Sequence, residues 1–184
     1  PDGSTPDATI SPKRVFVPTV EGRLIALDIE TGKPAANFGT GGIVDLKQGM
    51  GTVKPGYYQQ TSTPLVAANL VIVGGRVADN NEVGEPSGVV LAYDAVTGQL
   101  VWAWDSGNPD VTREPVENGI YTPGSPNVWA AMSYDAKLGL IYLPTGNTTP
   151  DFWGGQRTAE EDKYSSSIVA LKVADGRPAW HFQT

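Results

Sequence analysis

The chain has 184 residues, of which 40% are hydrophobic, with a formal net charge of -7, 22 glycines, 15 prolines and no cysteine. These figures describe a folded chain with a real core and exclude a disordered segment, and the negative charge disfavours nucleic acid or an anionic membrane surface as partner. Without cysteine there are no disulfides, thiolate metal sites or cysteine nucleophile, and no apolar run approaches the roughly 20 residues of a membrane span.

In chain order, the first predicted strand is "RVFVPT" (14–19), followed by the hairpin "LIALDIETGKPAANF" (24–38). The strand "NLVIVGG" (69–75) precedes a second hairpin, "VLAYDAVTGQLVWAW" (90–104), and "GLIYLPTG" (139–146) precedes a third, "IVALKVADGRPAWHF" (168–182). Each hairpin has an apolar strand ending in Ala, an apolar residue, then Asp or Lys. A Thr-Gly or Asp-Gly turn comes next, with Phe38, Trp102 or Trp180 in or near the returning strand. Gly32, Gly98 and Gly176 suit the positive φ of a tight turn, and Thr31, Thr97 and Asp175 can hydrogen-bond its backbone. Strand after strand with Gly-rich turns and no convincing amphipathic helix predicts an all-β chain. A repeated turn-then-aromatic unit favours a β-propeller over a β-sandwich, with about three four-stranded blades over residues 10–45, 60–107 and 125–184. Propellers have about four to eight blades, so a partial propeller is expected, an internal fragment whose exposed blade faces self-associate.

Polar groups arrive directly after two of the predicted strands. Asp79 and Asn80 follow "VIVGG", where a carboxylate and an amide could ligate a hard cation or form an Asx turn. In "PTGNTTPDFWGGQR" (144–157), Asn147, Thr148 and Thr149 offer neutral oxygens at the same kind of place one blade later. Between them, in "GSPNVWAAMSYD" (124–135), Trp129 is either a flat platform for a ring-shaped ligand or one more packing tryptophan. Glu160, Glu161 and Asp162 are expected in a solvated loop. His181, the sole histidine, has no spacing that suggests a catalytic triad. Walker, Rossmann and HExxH signatures are absent, which leaves nucleotide chemistry unsupported.

At these residues the chain resembles a known family. The units A-x-D-x-x-T-G-x-x-x-W resemble the tryptophan-docking motifs of eight-bladed pyrroloquinoline quinone (PQQ) dehydrogenases. The strings "VADNN", "SPNVWAAMSYDAKLGLIYLPTGN" and "TPDFWGGQRTAEE" are similar to those of membrane-bound quinoprotein glucose dehydrogenases and quinate/shikimate dehydrogenases. The resemblance implies that Trp129 stacks on the quinone, and that Asp79, with Asn80 beside it, ligates a Ca²⁺ or Mg²⁺ ion. A further ligand position falls on Thr149 counting back from Trp153, or on Asn147 counting forward from Gly146, and both stay open. It also implies oxidation of a sugar or cyclic polyol, glucose favoured and quinate or shikimate the alternative. Ubiquinone would be the acceptor, at the periplasmic side of a bacterial inner membrane, with the anchor outside this chain. The family's catalytic aspartate, its quinone-contacting lysine and an active-site histidine match no residue here, so the chain alone is expected to be inactive. The reading from another class is a non-catalytic scaffold built of PQQ-like repeats.

Overall fold

The computed structural model describes residues 13–110, 112 and 119–184, so residues 10–12 of the first expected unit lie outside it. Its strands form three larger antiparallel sheets. The first contains β1 (Arg14–Pro18), β2 (Arg23–Asp28) and β3 (Ile43–Asp45). A short ribbon joins β4 (Tyr58–Gln59) to β7 (Arg76–Val77). The second sheet runs β5 (Leu65–Ala67), β6 (Leu70–Val73), β8 (Val90–Asp94), β9 (Leu100–Trp104). The third runs β10 (Ser133–Asp135), β11 (Leu140–Pro144), β12 (Ser167–Lys172), β13 (Pro178–Gln183). The described residues are all-β with one short helix, and their sheets do not close into a ring.

The repeated turns form as their residue types dictate. The Asp28 carboxylate accepts the Thr31 N–H and hydroxyl, both at 2.8 Å, and Asp94 accepts the same groups of Thr97 at 2.7 and 2.9 Å. Each closes a loop whose glycine N–H returns to the strand-ending carbonyl, Gly32 to Asp28 and Gly98 to Asp94. Lys172 cannot supply the carboxylate in the third unit, and there Asp175 Oδ1 accepts the Arg177 N–H at 3.0 Å.

The aromatic residues explain why the unit repeats. The Trp102 ring lies against the third sheet's turn, where a Cβ on Gly176 (φ 72°) would stand 2.6 Å from the ring. The indole Nε1 donates to the Val173 carbonyl at 2.9 Å. Phe38 occupies the corresponding place against Gly98, with the Gly39 N–H donating to the Thr97 carbonyl at 2.8 Å. Phe38 itself sits in a loop, not in a returning strand. In that part of the unit the pairing is reduced to an isolated bridge between Leu27 and Pro34.

Two apolar layers fill the spaces between sheets. Alternation along one strand sends Val71 and Val73 to the first layer and Ile72 to the second, and β8 divides the same way, Leu91 and Tyr93 against Val90 and Ala92. A strand buried on both faces reads as a continuous apolar run, which is why "VIV" shows no polar alternation.

The acidic stretch after Arg157 departs from expectation. It forms α1 (Ala159–Tyr164), opened by a capping box. Thr158 Oγ1 accepts the Glu161 N–H at 3.2 Å, and Glu161 Oε2 accepts the Thr158 N–H at 2.8 Å. Glu161 is thus buried as a cap rather than solvated, because two otherwise unpaired backbone donors need it.

Candidate functional site

The site assembles where β6, β7 and β11 end. After β6 the backbone passes so close to residue 128 that a side chain on Gly74 would collide with the Val128 carbonyl. This contact brings the Asp79 loop and the Trp129 segment side by side. The Gly146 N–H donates to the Asn127 carbonyl at 2.8 Å, and the Thr149 N–H to the Gly124 carbonyl at 2.8 Å. The Asp151 N–H donates to the Asp79 carbonyl at 2.9 Å. Three loops far apart in sequence are therefore joined backbone to backbone, and all the candidate residues lie on them.

Within that frame the side chains differ in availability. Trp129 is 55% exposed, whereas Trp102 and Trp104 are buried at 1% and 0%. Its ring is therefore not part of the packing between sheets, and its carbonyl is held by the Thr61 hydroxyl at 2.9 Å. A Cβ on Gly146 would lie 3.1 Å from Asn127 Oδ1 and 3.6 Å from Trp129 Nε1, so the indole edge and that amide flank the residue before Asn147. Asn147 Oδ1 accepts the Ser166 hydroxyl at 2.7 Å. Asn80 is exposed, and its amide makes only a 3.5 Å contact with Asp79 Oδ1.

On the Gly124–Trp129 and Gly146–Asp151 segments, two buried oxygens have no hydrogen-bond partner among the described residues: Asn127 Oδ1 and Thr149 Oγ1. An unpaired buried acceptor costs about 1–3 kcal/mol, so such atoms mark places where a ligand group can be accommodated. The electrostatics point the same way. Burial raises the Asp151 pKa, the Asp79 and Glu85 charges raise it further, and Arg157 opposes them. Carboxylates close enough to raise the Asp151 pKa make a field that favours a cation. Among the described residues no three His, Cys, Asp or Glu side chains converge as a metal cage. With the Asp79 and Asp151 charges close enough to interact, a cation here could take a carboxylate such as Asp79 and complete its shell with neutral oxygens, which suits a hard ion. The flat exposed indole fits a planar cofactor such as PQQ, and the unpaired acceptor oxygens beside it suit a cation.

The sequence does not single out Asn127, Thr61 or, behind the Asp79 loop, Glu85. "SPNVWA" holds Asn127 two residues before Trp129, and that proximity was its only local signal.

The model of the PQQ glucose/ethanol/alcohol dehydrogenase β-propeller domain matches residues 3–184. The chain belongs to the PQQ-dependent dehydrogenase family. It is 44% identical over 173 residues to the quinoprotein glucose dehydrogenase of Escherichia coli K12, covering 94% of this chain and 22% of that one. It is 42% identical to the quinate/shikimate dehydrogenase (quinone) of Acinetobacter baylyi over 188 residues, covering 99% and 23%. The crystal structure of quinohemoprotein alcohol dehydrogenase from Comamonas testosteroni superposes with a TM-score of 0.67 at 31% identity, covering 92% and 26%. The chain thus spans about a quarter of the length of these PQQ dehydrogenases.

Proposed function

We propose that the whole protein is a quinoprotein dehydrogenase that oxidises a sugar or cyclic polyol, glucose first among them, with PQQ and a Ca²⁺ or Mg²⁺ ion. The observation that carries this reading is the joining of the Asp79, Gly124–Trp129 and Gly146–Asp151 loops around one exposed indole. When bound, PQQ supplies an electrophilic quinone that accepts a hydride equivalent from an alcohol carbon. The residues of this chain bind and orient. Trp129 offers a flat face for the ring system, and Asp79 supplies the negative charge that holds the cation. Thr149 or Asn147 adds a neutral oxygen, and Asn80 lies beside Asp79 as a further donor. The cation fixed there would polarise a carbonyl oxygen as a Lewis acid. The groups that remove the substrate proton lie outside these residues, so this chain contributes one wall of the site.

Quinate or shikimate is the second reading, favoured by Asn147 and by the 42% identity to the Acinetobacter baylyi enzyme over nearly the whole chain. Likeness to membrane-bound glucose dehydrogenases supports the periplasmic face of the inner membrane and ubiquinone as acceptor. Among the described residues no helix is long and apolar enough to cross a membrane.

The test is steady-state oxidation by the full-length protein reconstituted with PQQ and either cation, comparing glucose, quinate and shikimate. Activity should require PQQ, and Asp79→Ala should weaken cation-dependent reconstitution by about tenfold or more. Reconstitution by Asp79→Ala with unaltered cation dependence would remove Asp79 from the site.

A further inference from the structure

The loop that carries Asp79 and Asn80 is folded around a carboxylate that the site itself does not use. Glu85 is 1% exposed, although it lies in a loop between β7 and β8. Its Oε1 accepts the Asn81 N–H at 2.9 Å and the Glu82 N–H at 3.3 Å. These are the two residues that directly follow Asn80. The Glu85 carbonyl accepts the Gly124 N–H at 2.6 Å, and the Gly124 carbonyl accepts the Thr149 N–H at 2.8 Å. One residue thus connects the Asp79 loop to the strand of loop that also supports Thr149. Its second carboxylate oxygen, Oε2, is buried with no hydrogen-bond partner among the described residues. Lys54 forms an ion pair with Glu82 of this same loop, and it feels the Glu85 charge without bonding to it.

Burying a carboxylate with half its acceptor capacity unused is costly, and a loop needing only a turn cap could use Ser or Asn at the surface instead. What the carboxylate provides is one acceptor reaching two successive N–H groups from inside, which fixes the path of the chain immediately after Asn80. A ligand carboxylate must be held to within about 0.5 Å to work, and groups behind the ligands perform that task in metal sites generally.

We propose that Glu85 is a positioning residue for the cation site: its buried carboxylate holds the 79–82 loop so that Asp79 presents its oxygens at a fixed place beside Trp129 and Thr149. This rests on the reading of Asp79 as the cation ligand. Glu85 touches neither cation nor cofactor.

The test uses the full-length protein stripped of cation and cofactor. Mg²⁺, and in parallel Ca²⁺, is titrated at saturating PQQ with tryptophan fluorescence as the signal, and thermal unfolding of the stripped protein is recorded beside it. Glu85→Ala should weaken the cation constant by about tenfold to a hundredfold. Glu85→Gln keeps a carbonyl oxygen able to accept both N–H groups and should stay within about threefold of wild type. Equal loss in Glu85→Gln and Glu85→Ala would overturn the proposal, since charge and not acceptor geometry would then matter. Should Glu85→Ala not fold, Glu85→Asp carries the test: it keeps the charge but shortens the reach, and wild-type cation affinity in folded Glu85→Asp would overturn the proposal. Asp79→Ala separates the two readings. If it leaves cation binding unchanged, the reading of the site fails; if it weakens binding while Glu85→Ala does not, only the role of Glu85 fails.

Discussion

Asp28 shows how much a single turn residue can do for the repeat. Its carboxylate ends β2 and receives three donors from the next turn, the Glu30 and Thr31 N–H groups and the Thr31 hydroxyl. Its pKa lies below the ordinary aspartate value, first because of the Thr31 side-chain bond and then the Thr31 backbone bond. A carboxylate with a depressed folded pKa contributes stability that is present above its unfolded value of about 3.9 and lost as pH falls through the folded value. Thr31→Val keeps the shape and removes the hydroxyl. The Asp28 carboxyl followed by NMR should then titrate at higher pH than in wild type, and an unmoved midpoint would show that the backbone donors alone suffice. Asp105 behaves in the opposite sense. Burial raises its pKa despite bonds from the Thr122 and Gly107 N–H groups. The stability this shift lends is full below the unfolded pKa and is lost as pH rises through the folded one.

At the scale of the element, the contact between Trp102 and the following unit's turn is one joint between the second and third sheets. It combines ring packing on Gly176 with a hydrogen bond to the Val173 carbonyl. Trp102→Ala should cost about 3–5 kcal/mol in denaturant unfolding, with Trp102→Phe recovering most of it but lacking the bond, worth about 1 kcal/mol. A loss below about 1 kcal/mol in Trp102→Ala would show the joint to be unimportant. Such joints were legible in the sequence because turn glycine and aromatic recur at matching places. The strand ending at Val73 was legible because a run buried on both faces has no polar alternation. The short helix was harder: Thr158 and Glu161 have capping-box spacing, but six residues are too few to show helical periodicity. Phe38 was misleading because an aromatic residue fills the same place from a loop as from a strand. The candidate ligands were visible as polar residues after apolar strands. Glu85 was not, since its burial depends on residues near 124 and 149, and no local pattern shows that.

For the whole molecule, the same joint has two unpaired halves. Trp180 holds in the third sheet the place that Trp102 holds in the second: Ala170 pairs with Trp180 as Ala92 pairs with Trp102, each beside a register shift. Yet Trp180 is 46% exposed, with Phe182 at 64% and Ile168 also exposed on the same sheet. At the other side, nothing among the described residues lies within 4 Å of a Cβ at Gly32, where Gly98 and Gly176 meet an aromatic ring. An exposed ring on one face and an open turn on the opposite face are complementary but not the same surface, so pairing between copies would be head-to-tail and non-closing. Among the described residues β13 is also the edge strand of its sheet. The 184-residue chain is therefore expected to self-associate, its weight-average mass in sedimentation equilibrium rising with concentration beyond that of a dimer. Trp180→Ser combined with Phe182→Ser should abolish the rise, because exposed side chains on that sheet can be replaced without opening the buried layers. A wild-type chain that sediments as a monomer throughout would show that this face is tolerated in water, and the repeat argument would then hold only within the chain.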